Sequence, residues 1–402
     1  MKTLLPYISF LFIAACGNPP GKMENKDGSR QTADRSATFL QDRSFLNKHI
    51  AVLVLQKDSM RVLIAPAFQA RVMTSSSGGD NGKSYGWINY ALMDSGKYLP
   101  HINAYGGEER LWMGPEGGQF SVFFKKGQAF EFKNWQTPAI MDTAAYELVN
   151  SSPGLASFSK TFDLVNYSGT VFHVTAHREI KLLTAGEASG ILGIPLKGVK
   201  WVGYQTTNSL VNKGREDWNF RTGVLSIWML SMIKSSAGST IIIPYRKGLG
   251  AWVNDAYFGK TPAGRLHKED SVLFFKADSK YRSKIGLPPA IVRSLAGSYD
   301  AASNMLSIIQ FDYKGDTAYV NSKWELQQSP YKGDVVNAYN DGPNETGGRL
   351  GSFYELETSS PAVALKKDQT LTHTQRIFHF EGAKEQLNNI AKQLLGADLD
   401  KL

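Results

Sequence analysis

Cysteine is nearly absent from this chain: Cys16 is the only one in 402 residues. A single thiol cannot close an internal disulfide, and it cannot supply the paired thiolates of a zinc ribbon or a redox CxxC site. The seven histidines include no HExxH. His173 and His177 share a strand face but have no evident third ligand, so no metal is expected. The chain has no GxSxG elbow, no GxxxxGK[ST] phosphate loop and no Gly-x-Gly-x-x-Gly at a strand-to-helix junction. These absences argue against a serine hydrolase of that type and against a nucleotide cofactor. Compact basic runs with interleaved aromatics are missing too. The net charge of +9 is scattered among acids, and no nucleic-acid face is expected.

What is present begins with a leader. Lys2 precedes a mostly apolar run from Leu4 to Ala15, too short to span a bilayer and suited to the core of an export signal. Ile13-Ala14-Ala15-Cys16 resembles a bacterial lipobox, in which the Cys is lipidated and becomes the new N-terminus. The expectation is therefore a signal segment over 1–16, lipidation at Cys16, and anchoring to a bacterial membrane facing the periplasm or the cell surface. Residues 17–44, rich in Gly, Pro, Ser and Asp near their start, read as a flexible linker. One domain is expected over 45–402.

That domain reads as all-β. The 38 glycines and 16 prolines punctuate short β-branched or aromatic runs, among them 51–55, 61–65, 70–75, 120–124, 155–163, 170–181, 200–206, 225–233, 240–244, 272–276, 305–313 and 334–338. A sandwich or supersandwich accommodates so many short strands. Near the C-terminus, Leu387, Ile390, Ala391, Leu394 and Leu395 recur at helical spacing, with Gly396 as a C-cap, so one helix packs on the sheet.

Three stretches carry chemistry. In Phe353–Thr358 a period of two places Glu355 and Glu357 on one face and Tyr354, Leu356 and Thr358 on the other. The next run puts Leu371, His373, Gln375, Ile377 and His379 on one face, so acids and imidazoles are expected to converge for general acid–base work. The second stretch, His101–Phe120, reads as a Gly-rich loop holding Arg110, Trp112, Glu116 and Gln119. Charged groups beside a flat indole suit a sugar, whose hydroxyls take bidentate hydrogen bonds and whose C–H face takes an aromatic ring. A structural Arg110–Glu116 pair with Trp112 in the core is the competing reading. In the third stretch a strand carrying Asn208 turns through Asn212-Lys213-Gly214 and returns with Ser226 and Trp228. Asn208 is either a ligand donor or a turn residue bonded to its own backbone.

In order, these features resemble the aldose 1-epimerase, or galactose mutarotase-like, superfamily. Ala70–Ser75 is similar to its early strand, Thr207–Gly214 with 225–233 to its hairpin, and Leu356-Glu357-Thr358 followed by Pro361 to the segment that carries its catalytic base. "GGEERLWMGPEGGQF" and "FYELETSSPA" look closer to a sub-group of exported proteins without an assigned function. The resemblance implies a β-supersandwich with a C-terminal helix and a sugar-sized groove. It also implies Glu357 as base, with Arg110, Trp112, Glu116, Gln119, Asn208 and Glu355 around a carbohydrate. The family's acid is a His where this chain reads Ser226-Ile227-Trp228-Met229-Leu230, which leaves His101 or His373 as substitutes. Anomer interconversion, a non-catalytic glycan-binding lipoprotein, and a polysaccharide lyase or hydrolase using Glu116 with Glu357 all stay open. Changing Glu357 to Gln is expected to stop turnover and leave folding nearly intact.

Overall fold

A computed structural model describes residues 37–247, 253–255, 257–344 and 347–402. Cys16 and the expected signal segment lie outside them. Residues 39–44, read as the end of the linker, belong to a helix, Phe39–Leu46, started by a Thr38/Gln41 capping box. Thr38 accepts from the Gln41 amide and Gln41 answers to the Thr38 amide, which satisfies two of the donors a helix start leaves unpaired.

Two antiparallel sheets dominate. The larger runs Leu266–Glu269, Val272–Lys276, Ser239–Pro244, Leu295–Asp300, Met305–Phe311, Thr370–Glu381, Lys200–Asn212, Val171–Leu182, Leu155–Val165 and Glu147–Ser152. The smaller runs Ser283–Leu287, Val336–Asn340, Phe353–Ser359, Ser226–Lys234 and Arg110–Gly114. A third, three-stranded sheet is made of Leu53–Lys57, Met60–Ala65 and Arg71–Ser76.

Alternation explains how the layers stack. Leu111 and Met113, Ile227 and Met229, and Leu356 turn to one side of the smaller sheet and share a core with Val174, Tyr204, Leu210 and Ile377 of the larger one. On its other side the larger sheet uses Phe378 and Phe380, which pack on Leu387, Ile390, Ala391 and Leu395 of the helix Lys384–Leu395. Gly396 closes that helix at φ 67°, a conformation glycine adopts without steric cost. The expected all-β architecture with a C-terminal helix is therefore what the chain adopts.

Several elements differ from expectation. Lys200–Asn212 and Ser226–Lys234 belong to different sheets, so they are not a hairpin; the chain crosses between layers after Asn212. Arg110–Gly114 is a strand, although its flanking glycines read as loop. Residues 120–124 form a buried aromatic turn without strand pairing.

Candidate functional site

Since Leu356 faces the core, Glu355 and Glu357 must face the outer side of the smaller sheet, where the pleat assembles a floor from all of its strands. Cross-strand registry sets out its rows. Glu357 lies between Asn337 and Leu230, and Leu230 is paired onward to Arg110. Glu355 lies between Tyr339 and Met232, and Tyr339 is paired onward to Lys284. One step further, Ser359, Trp228 and Trp112 form a third row.

Two ion pairs cross this floor diagonally onto the central strand. Arg110 Nη2 binds Glu355 Oε1, with both side chains almost fully buried. From the opposite side Lys284 Nζ lies 2.9 Å from Glu357 Oε2, and the Trp228 indole N–H donates to the same oxygen at 2.9 Å. Glu357 Oε1 is buried and accepts no hydrogen bond. The Arg110 guanidinium lies 5.0 Å from the Trp112 ring centroid, and the Lys284 ammonium lies 4.8 Å from that of Trp228. Such cation–π contacts strengthen when desolvated.

Above the floor is a cavity of about 760 Å³, lined by Arg110, Trp112, Glu116, Trp228, Lys284 and Glu355 among others. Trp135 and Trp324 add indoles to its walls. Burial raises the Glu116 carboxyl to about 7 against the pull of Lys284, with Glu357 adding to the rise. Glu355 is likewise raised to about 7, by burial against the pull of Arg110 and with a push from Glu357. Burial alone would lower the Lys284 ammonium, but Glu357 and Glu116 more than offset it and its pKa is raised.

The residues expected from sequence divide sharply. Arg110, Trp112, Glu116 and Glu355, far apart in the chain, line one cavity. Glu357 is 1% exposed and lies beneath Lys284 and Trp228, so the expected base is not presented to the cavity surface. Glu355 and Glu357 do not converge with His373 and His379, because Phe353–Ser359 and Thr370–Glu381 lie in different sheets. His373 sits between the layers with Nε2 2.8 Å from Thr358 Oγ1, and burial pushes it down to about 4. His101 is tied through Nδ1 to the Trp135 carbonyl at 2.6 Å, and no described histidine lines the cavity.

Asn208 is not a turn residue, and it does not line the cavity. It lies in mid-strand, accepts from Arg178 Nη1 at 2.7 Å and donates to Thr206. Arg178 in turn pairs with Glu109, both fully buried. Gln119 exchanges two 3.0 Å hydrogen bonds with the backbone of Gln327 and does not line the cavity. Sequence reasoning missed Lys284, Tyr257 and Asp334. Only the alternation in Ser283–Leu287 could have placed Lys284 on a polar face, and nothing local ties it to Glu357. Among the described residues no group of His, Cys, Asp and Glu could hold a metal ion, and no helix is long and apolar enough to cross a membrane.

The chain belongs to a family of unknown function, DUF6786, whose model matches residues 37–402. No curated protein matches it. Among solved structures it is similar to a galactose mutarotase-like protein from Lactobacillus casei, at 10% identity and a TM-score of 0.49, over 82% of this chain and 100% of that one. It is also similar to a galactose mutarotase related enzyme from Lactobacillus acidophilus, at 8% identity and a TM-score of 0.45, over 82% of this chain and 97% of that one.

Proposed function

We propose that this chain is an exported lipoprotein that binds a carbohydrate on the outer face of its smaller sheet. The observation that carries the reading is one cavity in which indole rings stand beside fixed Arg110–Glu355 and Lys284–Glu357 pairs. Rings cover the C–H faces of a pyranose, while the paired polar groups offer oriented donors and acceptors to its hydroxyls. Glu116 and Glu355, both with pKa values of about 7, exchange protons with the ligand near neutrality, as interconversion of anomers requires. Glu357 is then a positioning residue that holds Lys284 and Trp228 at the wall. Export and lipidation rest on the Leu4–Ala15 run, the small residues before Cys16 and the lack of a second thiol.

A specific observation favours a second, non-catalytic reading: Glu355 is occupied by Arg110, and no described histidine lines the cavity. Calorimetry with a panel of mono- and oligosaccharides separates the outcomes. At least one sugar binds, and Trp112→Ala weakens it about three- to tenfold by removing a stacking surface. NMR exchange spectroscopy on the bound sugar then shows anomer interconversion faster than in buffer. Binding without faster exchange selects the non-catalytic reading, and no binding across the panel ends the carbohydrate assignment.

A further inference from the structure

Beside the main cavity lies a smaller one of about 210 Å³, and Tyr257, Lys323 and Asp334 form part of both walls. The lining of the smaller cavity is mostly polar, with Asn254, Tyr257, Asn321, Lys323, Lys332 and Asp334 beside Pro288 and Gly333. Its charge is unbalanced. Of the cations that line the main cavity, Arg110 and Lys284 are each consumed by a carboxylate, while the Arg282 guanidinium lies 4.2 Å from the Phe258 ring centroid. The side chains of Lys323 and Lys332 make no ion pair or hydrogen bond among the described residues, and both are exposed. The one carboxyl on this wall, Asp334, is turned to its neighbours. Its Oδ2 accepts from the Tyr257 hydroxyl and from Asn254 Nδ2, and burial raises its pKa, so it ionises less readily than a free aspartate. Glu325 lines the main cavity and not the smaller one.

We propose that the carbohydrate held in the main cavity is anionic, and that its acidic substituent, a carboxylate or a sulfate or phosphate ester, enters the smaller cavity between Lys323 and Lys332. This rests on the carbohydrate reading above and adds the class of sugar to it. Lys323 acts on Asp334 only at a distance, and two ammonium groups with no hydrogen bond or contact ion pair have their charge-assisted hydrogen bonds still to make, which an oxyanion satisfies. A neutral sugar gains nothing from them. Asn254 and Asn321 add side-chain amides, which bind an oxyanion without adding charge.

The test uses matched pairs that differ only in charge: galacturonan oligosaccharides and their methyl esters, and galactose beside its 6-sulfate and 6-phosphate. Calorimetry on the full chain shows the acidic member of at least one pair bound about tenfold tighter or more, the size of one charged hydrogen bond. That preference shrinks as salt is raised. The identity of the preferred pair tells carboxylate from ester. In Lys323→Gln/Lys332→Gln, which changes two exposed side chains and keeps the wild-type melting temperature, the acidic and neutral members bind alike. If neutral members bind as tightly as acidic ones to the wild type, the inference fails and the carbohydrate reading stands. A preference that survives the double substitution rules out the smaller cavity as its source, and no binding by any member or by any sugar of the panel above ends both readings.

Discussion

Three carboxyl groups on and around one sheet face have different tasks because their neighbours differ. Glu357 has its counter-charge at 2.9 Å and is sealed from water, so removing its charge strands a buried ammonium. Glu357→Gln is therefore expected to cost about 3–5 kcal/mol of stability, the size of a broken buried pair, and not to leave folding intact. Adding Lys284→Met to that variant recovers most of the loss, as a double-mutant cycle in urea would show; an unchanged loss refutes the pairing. Glu116 has no ion-pair partner in contact, and burial outweighs the pull of Lys284 and of the Trp324 and Trp135 indoles, raising it to about 7 against 4.5 for a free carboxyl. Between those values the unfolded chain has lost this proton and the native state keeps it, so the group's contribution to stability falls as pH rises from 4.5 to 7 and is level above. Glu116→Gln removes that slope and gains up to a few kcal/mol on wild type between pH 5 and 8. Glu355 has the same sign and stays in both proteins. His373, lowered to about 4, has the opposite sign, its contribution being lost as pH falls from 6.5 through 4. Melting curves of the two proteins over pH 5–8 decide it, and a constant difference in melting temperature sinks the assignment.

Elements were legible where a local period decided them. Phe353–Ser359 shows its alternation in the sequence, and the placement of Glu355 and Glu357 on one face follows from it. The C-terminal helix was legible for the same reason, with Leu387 fully buried against the larger sheet. Leu387→Ala is expected to cost about 2–5 kcal/mol through a cavity under that helix while leaving ligand affinity unchanged. Chemical denaturation beside calorimetry checks both halves, and a fall in affinity would mean the two faces of the sandwich communicate. What stayed hidden is which sheet a strand joins. Nothing within Thr370–Glu381 says that it pairs with Met305–Phe311 and Lys200–Asn212, and so His373 and His379 were read toward the acids. His379 in fact pairs with Glu108, both fully buried between the layers. The Arg110–Gly114 strand was masked by its glycines, and Asn208 by a hairpin that the layer crossing replaces. Lys284 was invisible because its partner is 73 residues away and only sheet order brings them together.

At the scale of the molecule, the layered order separates the residues that hold the fold from those that line the cavity. The interior between the sheets holds Leu, Ile and Phe together with fully paired polar groups such as Glu109–Arg178, whereas the cavity opens on the outer face of the smaller sheet. The N-terminal segment is expected to serve as tether alone. The family match begins at residue 37, the Thr38 cap starts the first described helix, and Phe39 and Leu46 of that helix bury themselves against Leu63, Ala65 and Met73. A chain starting at Ser36 keeps these contacts and every residue lining the cavity. It is therefore expected to melt at the temperature of the full chain and bind the same glycan equally well, since a domain carries its own core. In cells, Cys16→Ala is expected to move the full-length protein from the membrane fraction to the soluble one. That shift follows if a lipid on Cys16 is the anchor, because acyl chains then hold the chain at the bilayer. Fractionation followed by mass spectrometry of the mature N-terminus reads it directly. An unmodified Cys16 thiol on a soluble wild-type protein would remove the lipoprotein assignment and leave the cavity and its ligand as they are.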